Sequence, residues 1–411
     1  MRAMTTDAGG VPRFAARVAG LGGAEAAAWE IHAQAVQRRA DGEDIILLSV
    51  GDPDFPTAPP IVAAAKASLD QGRTHYAAIA GQLPLRQAIA RHQERVSGQA
   101  VDPEHILVLA GAQSALFTAC QCLLQPGDEV IVPEPMYVTY PATVAAAGAE
   151  VVRVPLVAER GFHVDLDALA AAVTPRTRAV ILNSPHNPTG AVMTRHELEA
   201  VARLCRRHDL WLISDEVYAT LHYEGEHVSP AGLPGMASRT VTVSSLSKSH
   251  AMTGWRVGWL IGPPELVEHA ANLALCMLYG SPPFIQDAAT AALAMEGGEA
   301  AAMLERFRRR RDAVCRRLAG LPGLACTRPR GGMFVMLDVR RTGLSAETFA
   351  QRLLAEEGVC VLSGDAFGGA AAGHVRLSLT APDERLAEAC NRIGRFAFRL
   401  GAPAAALRLG A

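Results

Sequence analysis

The sequence has almost no charge bias, with 39 Lys and Arg against 41 Asp and Glu for a net charge of -2, and so lacks the basic surface that nucleic acid or an acidic membrane would demand. Its one dense run of like charge, RFRRRRDAV at Arg306 to Val314, falls in a helical pattern and reads as a solvated face. Paired cysteine motifs are missing too. The eight cysteines, at 120, 122, 205, 276, 315, 326, 360 and 390, contain no CxxC and mostly sit in apolar patterns, which argues against a disulfide framework or a metal site and for reduced, buried thiols. No apolar run is long enough to span a bilayer, and the first twenty residues lack the apolar stretch of a signal peptide, so a cytoplasmic protein is expected. Internal repeats and low-complexity linkers are also absent.

What is present is enough chain for two cores, since 411 residues exceed the roughly 250 to 300 at which one core stops growing. Ala24 to Gly42 reads as a helix closed by glycine, followed by IILLSV and the turn GDPDFP. HILVLA, DEVIVPEP, EVVRVPL, RAVILNSP, LWLISDEV, TVTVSSLS and GWLIG then alternate with helix-length or loop segments. Short continuous apolar runs are what strands buried on both faces look like, and their alternation with helices predicts a mostly parallel sheet. Beyond about Pro282 come long helices and two further strands, GGMFVMLDV and HVRLSLT, an α+β texture. The expected division is an arm and helix over 1–50 belonging to the smaller unit, a large α/β unit over 51–295 and a smaller α+β unit over 296–411.

In an open parallel sheet, ligands bind beyond the carboxyl ends of the strands. Asn187 follows one predicted strand, Asp215 and Tyr218 another, and Ser245, Ser247 and Lys248 a third. Singly these are an ordinary turn, a helix cap and a solvent-facing lysine. Together they suggest a site for a phosphorylated aldehyde, pyridoxal 5′-phosphate. Its aldehyde needs a lysine amine for a Schiff base, here Lys248, and its pyridine nitrogen needs a carboxylate to stay protonated, here Asp215. Its phosphate needs backbone N–H groups at a helix start plus cationic and hydroxyl donors. GAQS, with Gly111, Ala112, Gln113 and Ser114, supplies the first, and Arg256 and Ser245 the others.

The motifs NSPHNPTG, SDEVY, SLSK followed by GWRVG, and HVRLS resemble, in order and spacing, the signature set of the fold-type I, class I/II aminotransferases. The likeness runs from SVGDPDFPTAPPI to GGMFVMLD and beyond, nearly the whole chain. It implies a large domain with a mostly parallel seven-stranded sheet and a smaller α+β domain. It implies that Tyr137 stacks on the pyridine ring and that Asn187 and Tyr218 bond its phenolic oxygen. Arg376 would grip the substrate α-carboxylate as a bidentate fork, with Gly51 approaching the same group through its backbone. Tyr76 would reach the phosphate of a neighbouring subunit, which implies a homodimer with shared sites. Lys248 would move the α-proton of an L-amino acid to the cofactor, and a 2-oxo acid would take the amino group in a second, ping-pong half-reaction.

Side-chain choice is less marked. Relatives acting on dicarboxylates resemble this chain in layout but carry a lysine where Gln113 stands, which disfavours aspartate. AAAWEIHAQA, EPMYVTY, GEHVSPAGLPGMASRT, SLSKSHAMTGWRVGW and ALCMLYGSPPFIQDAA narrow the resemblance to a branch that takes L-arginine as donor and pyruvate as acceptor. On that branch Trp29 would stack on the guanidinium, Glu30 would pair with it, and Tyr279 would enter from the partner subunit. The competing readings are a broad-specificity aspartate, aromatic or aliphatic aminotransferase and a carbon–sulfur β-lyase. A cofactor-binding transcription regulator would need a DNA-binding helix-turn-helix, and the fifty or so residues before GDPDFP contain no basic recognition helix.

Overall fold

The computed structural model describes residues 25–295 and 298–401, together with 14, 15, 18 and 21; the rest of the expected amino-terminal arm and the end of the expected smaller unit lie outside the described residues. The large sheet runs in the order Ile106–Leu109, Gly258–Ile261, Thr240–Ser245, Trp211–Asp215, Thr177–Asn183, Glu129–Glu134 and Glu150–Val157. Those are the seven strands expected, and a two-residue strand, His163–Val164, adds an antiparallel edge. Within the seven, only Gly258–Ile261 runs against its neighbours. The reason for the continuous apolar runs is plain: Ile106–Leu109, Glu129–Glu134 and Gly258–Ile261 are buried along their whole length, with packed side chains on both faces.

Local signals set the helix ends. The Arg195–Arg207 helix begins at a capping box in which Thr194 Oγ1 accepts the Glu197 N–H and Glu197 accepts that of Thr194. The Leu83–Ser97 and Ala346–Glu357 helices stop at left-handed Gly98 and Gly358. Among the described residues, no helix is long and apolar enough to cross a membrane.

A second, antiparallel sheet orders Ala325–Thr327, Phe334–Asp338, His374–Ser378 and Leu362–Ser363. The Gly298–Leu318, Ala346–Glu357 and Asp383–Gly401 helices pack with it around Phe307, Phe334, Phe349 and Phe396, the last two rings meeting edge to face with centroids 5.1 Å apart. Ile46–Leu47 pairs in parallel with Val359–Cys360, and Ala35 on the Glu25–Ala40 helix packs with Ile45, Leu354 and Cys360. The amino-terminal helix thus sits against the carboxyl-terminal part of the chain.

The arginine run is not the solvated face expected of it. Arg310 is 4% exposed and Arg311 1%. Arg310 binds Asp54 and Asp383, and Arg311 binds Glu224, Asp312 and the Pro329 carbonyl. On a helix, neighbours in a run point in different directions, so Arg306 and Arg309 are exposed while Arg310 and Arg311 turn inward, where carboxylates meet them.

Candidate active site

Two neighbouring strands of the large sheet end level, Asn183 in register with Asp215, and the next runs two residues further, Asp215 pairing with Val243 and the strand ending at Ser245. Their carboxyl ends open into a cavity of about 240 Å³. Gly51, Ala112, Gln113, Tyr137, Asn187, Asp215, Tyr218, Ser245, Lys248, Arg256 and Arg376 all line it, as does Trp29.

Asp215 is buried at its floor. Tyr140 Oη donates to Asp215 Oδ2 at 2.7 Å and the Val217 N–H to Oδ1 at 3.2 Å. Burial pushes the Asp215 carboxyl up to about 6, against the pull of these two donors. Lys248 Nζ donates to the Gly51 carbonyl at 2.5 Å. Its amine is drawn down to about 8 from the ordinary 10.5, by burial first, with Asp52 opposing and the charges of Arg376 and Arg256 adding. A lysine so placed is largely neutral in mildly alkaline solution and able to attack a carbonyl or take a proton.

The other end of the cavity is built for an anion. The Ala112–Leu123 helix starts at Gly111, whose φ of +87° and missing side chain leave the first amides without a side-chain cap. A Cβ on Gly111 would lie 2.5 Å from Arg256 Nη2, so the guanidinium fills the space against the helix start. Arg256 is held there by donating to the Thr253 and Ala110 carbonyls at 2.7 and 3.3 Å. Ser245 Oγ accepts the Ser247 N–H at 3.3 Å and keeps its own proton to donate. An amine, a buried acid and an uncapped helix start with a cation and a hydroxyl thus share one cavity. The residues fit pyridoxal 5′-phosphate.

Arg376 lies between the rings of Phe334 and Phe367, at 4.1 and 4.7 Å from their centroids. It donates to Asn187 Oδ1 at 2.9 Å and to the Ser49 carbonyl. Burial lowers it to about 10, yet among the described residues no carboxylate pairs with it and its Nε has no partner. A buried guanidinium without an acid is matched by an anionic ligand. The phenol of Tyr218 is raised, chiefly by burial, with a hydrogen bond to Asn187 opposing.

Glu30 is not brought to this cavity, and Tyr76 and Tyr279, expected at the site of a neighbouring subunit, lie outside it. Glu30 is exposed and faces away, because one step along a helix turns a side chain about 100° from its neighbour Trp29. Tyr76 and Tyr279 lie together on the surface, 85% and 53% exposed, with ring centroids 4.8 Å apart. Conversely, Tyr140, Asn183, Phe334 and Phe367 take part without having been singled out. Asn183 Oδ1 accepts the Asn187 N–H at 2.8 Å and its Nδ2 donates to the Asp215 carbonyl at 3.0 Å, tying two strand ends together. Tyr140 carried a signal, three residues after Tyr137 in EPMYVTYP, but only the fold turns its hydroxyl toward Asp215.

A family model described as aminotransferase class I and II matches residues 43–393. The arginine–pyruvate transaminase AruH of Pseudomonas aeruginosa is 61% identical over 387 residues, covering 94% of this chain and 98% of that protein. The aspartate/prephenate aminotransferase of Thermus thermophilus is 41% identical over 368 residues, covering 89% and 94%. A solved structure of Thermus thermophilus aspartate aminotransferase with maleate superposes with a TM-score of 0.89 at 40% identity, covering 94% of this chain and all of that one (100%).

Proposed function

The chain belongs to the class I and II aminotransferases, and from that membership we propose that it moves the α-amino group of L-arginine to pyruvate, giving 5-guanidino-2-oxopentanoate and alanine. The observation that carries the substrate choice is the identity with the Pseudomonas aeruginosa enzyme along nearly the full length of both chains. Pyridoxal 5′-phosphate, the cofactor of the family, supplies when bound an aldehyde that accepts the amino group and a ring that delocalises the electrons left when Cα loses its proton.

The protein's own groups do the rest. Lys248 would hold the cofactor through its amine, and that amine, placed at the Gly51 carbonyl, would take the proton from the substrate Cα. Asp215, kept ionised by Tyr140 and the Val217 amide, holds a proton on the pyridine nitrogen. Gly111, Ala112, Gln113, Ser245 and Arg256 would bind the phosphate, Tyr137 would pack against the ring, and Asn187 and Tyr218 would bond its oxygen. Arg376 would receive the α-carboxylate beside Asn187 and Gly51; among the described residues its Nε has no partner.

Trp29 is the side-chain reader we propose for the guanidinium. It borders the cavity, is 44% exposed, and is held edge-on to His32, which is itself bonded to Ser49 Oγ at 2.8 Å. A cation over an indole face gains about 0.5–2 kcal/mol. The enzyme acts as a cytoplasmic homodimer in this reading, the exposed Tyr76 and Tyr279 pair being where the partner meets it. Incubation of the holoenzyme with L-arginine and pyruvate, with mass analysis of the products, tests the assignment. Guanidino-oxo acid and alanine in equal amounts are expected. Turnover confined to aspartate, phenylalanine or leucine would replace it by a broad-specificity aminotransferase, and release of ammonia and pyruvate from cystathionine by a β-lyase.

A further inference from the structure

The segment from Ser49 to Asp54, which ends in the first four residues of GDPDFP, touches both Arg376 and Lys248. The Ser49 carbonyl accepts from Arg376, the Val50 carbonyl from Thr380 Oγ1 at 2.9 Å, and the Gly51 carbonyl from Lys248 Nζ at 2.5 Å. Asp52 Oδ1 accepts from Thr253 Oγ1 at 2.8 Å, next to the Thr253 carbonyl that holds Arg256. Gly51 has no room to move inward, since a Cβ there would lie 2.4 Å from the Phe334 ring. What remains is the far end of the segment, and there the buried arginine of the Gly298–Leu318 helix closes on it.

Arg310 donates to both oxygens of Asp54, at 2.6 and 2.9 Å, to Asp383 Oδ1 at 2.6 Å, and to the Leu379 carbonyl at 3.1 Å. The next residue, Phe55, lies under Arg306 at 4.4 Å and Arg310 at 5.0 Å, edge to face with Phe307 at 5.7 Å. We propose that Arg310 is a positioning residue of the reaction: through Asp54 it fixes the segment whose Ser49 and Gly51 carbonyls hold Arg376 and Lys248. The planar fork is what lets one side chain take a bidentate carboxylate, a second carboxylate and a carbonyl at once, and a lysine ammonium cannot reproduce that set. Leu379 directly follows the His374–Ser378 strand that carries Arg376, so the same guanidinium braces both supports of the substrate carboxylate.

The proposal rests on the aminotransferase reading, and its test has two readouts on the holoenzyme. Arg310→Lys and Asp54→Asn should each accelerate amide hydrogen exchange in the peptide covering 48–56 while leaving strands of the large sheet unchanged. Each should also slow the half-reaction with saturating amino donor by about tenfold, a misplacement effect, with the half-saturating concentration nearly unchanged. The double variant should fall no more than about threefold below either single one, because both remove the same link. If Arg310→Lys does not fold, Asp54→Asn carries the test alone. Normal half-reaction rates alongside a looser segment, or unchanged exchange in that segment, would overturn it. Wild-type enzyme run in parallel tests the functional reading separately, and the exchange result decides the clamp whichever donor proves active.

Discussion

Lys248 and Asp215 are displaced toward each other, the amine down to about 8 and the carboxyl up to about 6, and burial is the first cause in both. For the lysine, the neutral form is the one that attacks the cofactor aldehyde. Uptake of pyridoxal 5′-phosphate by the apoenzyme, followed by growth of its visible band, should rise by roughly tenfold per pH unit and level off above about pH 8. A rate still climbing toward pH 10 would mean an unshifted lysine. Lys248→Ala should lose that band and the activity while phosphate-linked cofactor binding persists; a retained band would remove Lys248 from its role. For the carboxyl, the sign runs through Tyr140. Its hydroxyl stabilises the ionised form, so Tyr140→Phe should raise the Asp215 pKa and move the acid limb of the pH–rate profile to higher pH. A loss of about tenfold in kcat near neutrality is expected, in line with a hydrogen bond to a charged group. An unmoved acid limb would show that Tyr140 merely packs. Lys248, Asp215 and Arg376 were legible in the sequence because strand ends and motif order announce them. Tyr140, Phe334 and Phe367 were not, because each acts by approach from another element across the fold.

Where the backbone does the binding, side-chain motifs say little and close approach says more. Gly258, on the antiparallel strand, packs against the start of the Ala112–Leu123 helix, so that a Cβ would lie 2.6 Å from the Gly111 carbonyl carbon and 2.7 Å from the Ala112 nitrogen. Gly258→Ala should push the helix start off the phosphate position and weaken cofactor affinity by at least about tenfold, about 1.4 kcal/mol, by equilibrium titration of the apoenzyme. Affinity equal to wild type would separate that helix start from phosphate binding. The strands were readable from the sequence because both faces are covered and the apolar runs are therefore unbroken. The Arg306 to Val314 stretch was misread for a physical reason: composition reports charge but not the partners that folding brings, here Asp54 and Asp383 for Arg310, from far along the chain. The two-residue strands went unseen because two residues carry no periodicity.

For the whole molecule, the aromatic pair Tyr76 and Tyr279 lies near exposed Leu83, Leu275 and Met277 in sequence, and rings exposed to that degree are unusual unless a partner covers them. If the proposed homodimer forms through this pair, Tyr76→Ala should weaken cofactor retention and shift sedimentation toward monomer at low protein concentration; unchanged sedimentation with unchanged cofactor affinity would remove Tyr76 from the proposed interface. The amino-terminal helix, paired through Ile46–Leu47 with Val359–Cys360, supports a unit made from both ends of the chain, which we propose as the smaller domain. The central claim, that one cavity takes an amino group from arginine and passes it to pyruvate, meets its most direct test in a single turnover. Holoenzyme is mixed with L-arginine alone, and the visible band of the lysine-bound cofactor is followed; pyruvate is then added. Rapid loss of the band with arginine, faster than with L-aspartate or L-phenylalanine, and its return with pyruvate are predicted. A band that arginine leaves intact while aspartate or phenylalanine discharges it would contradict the arginine assignment.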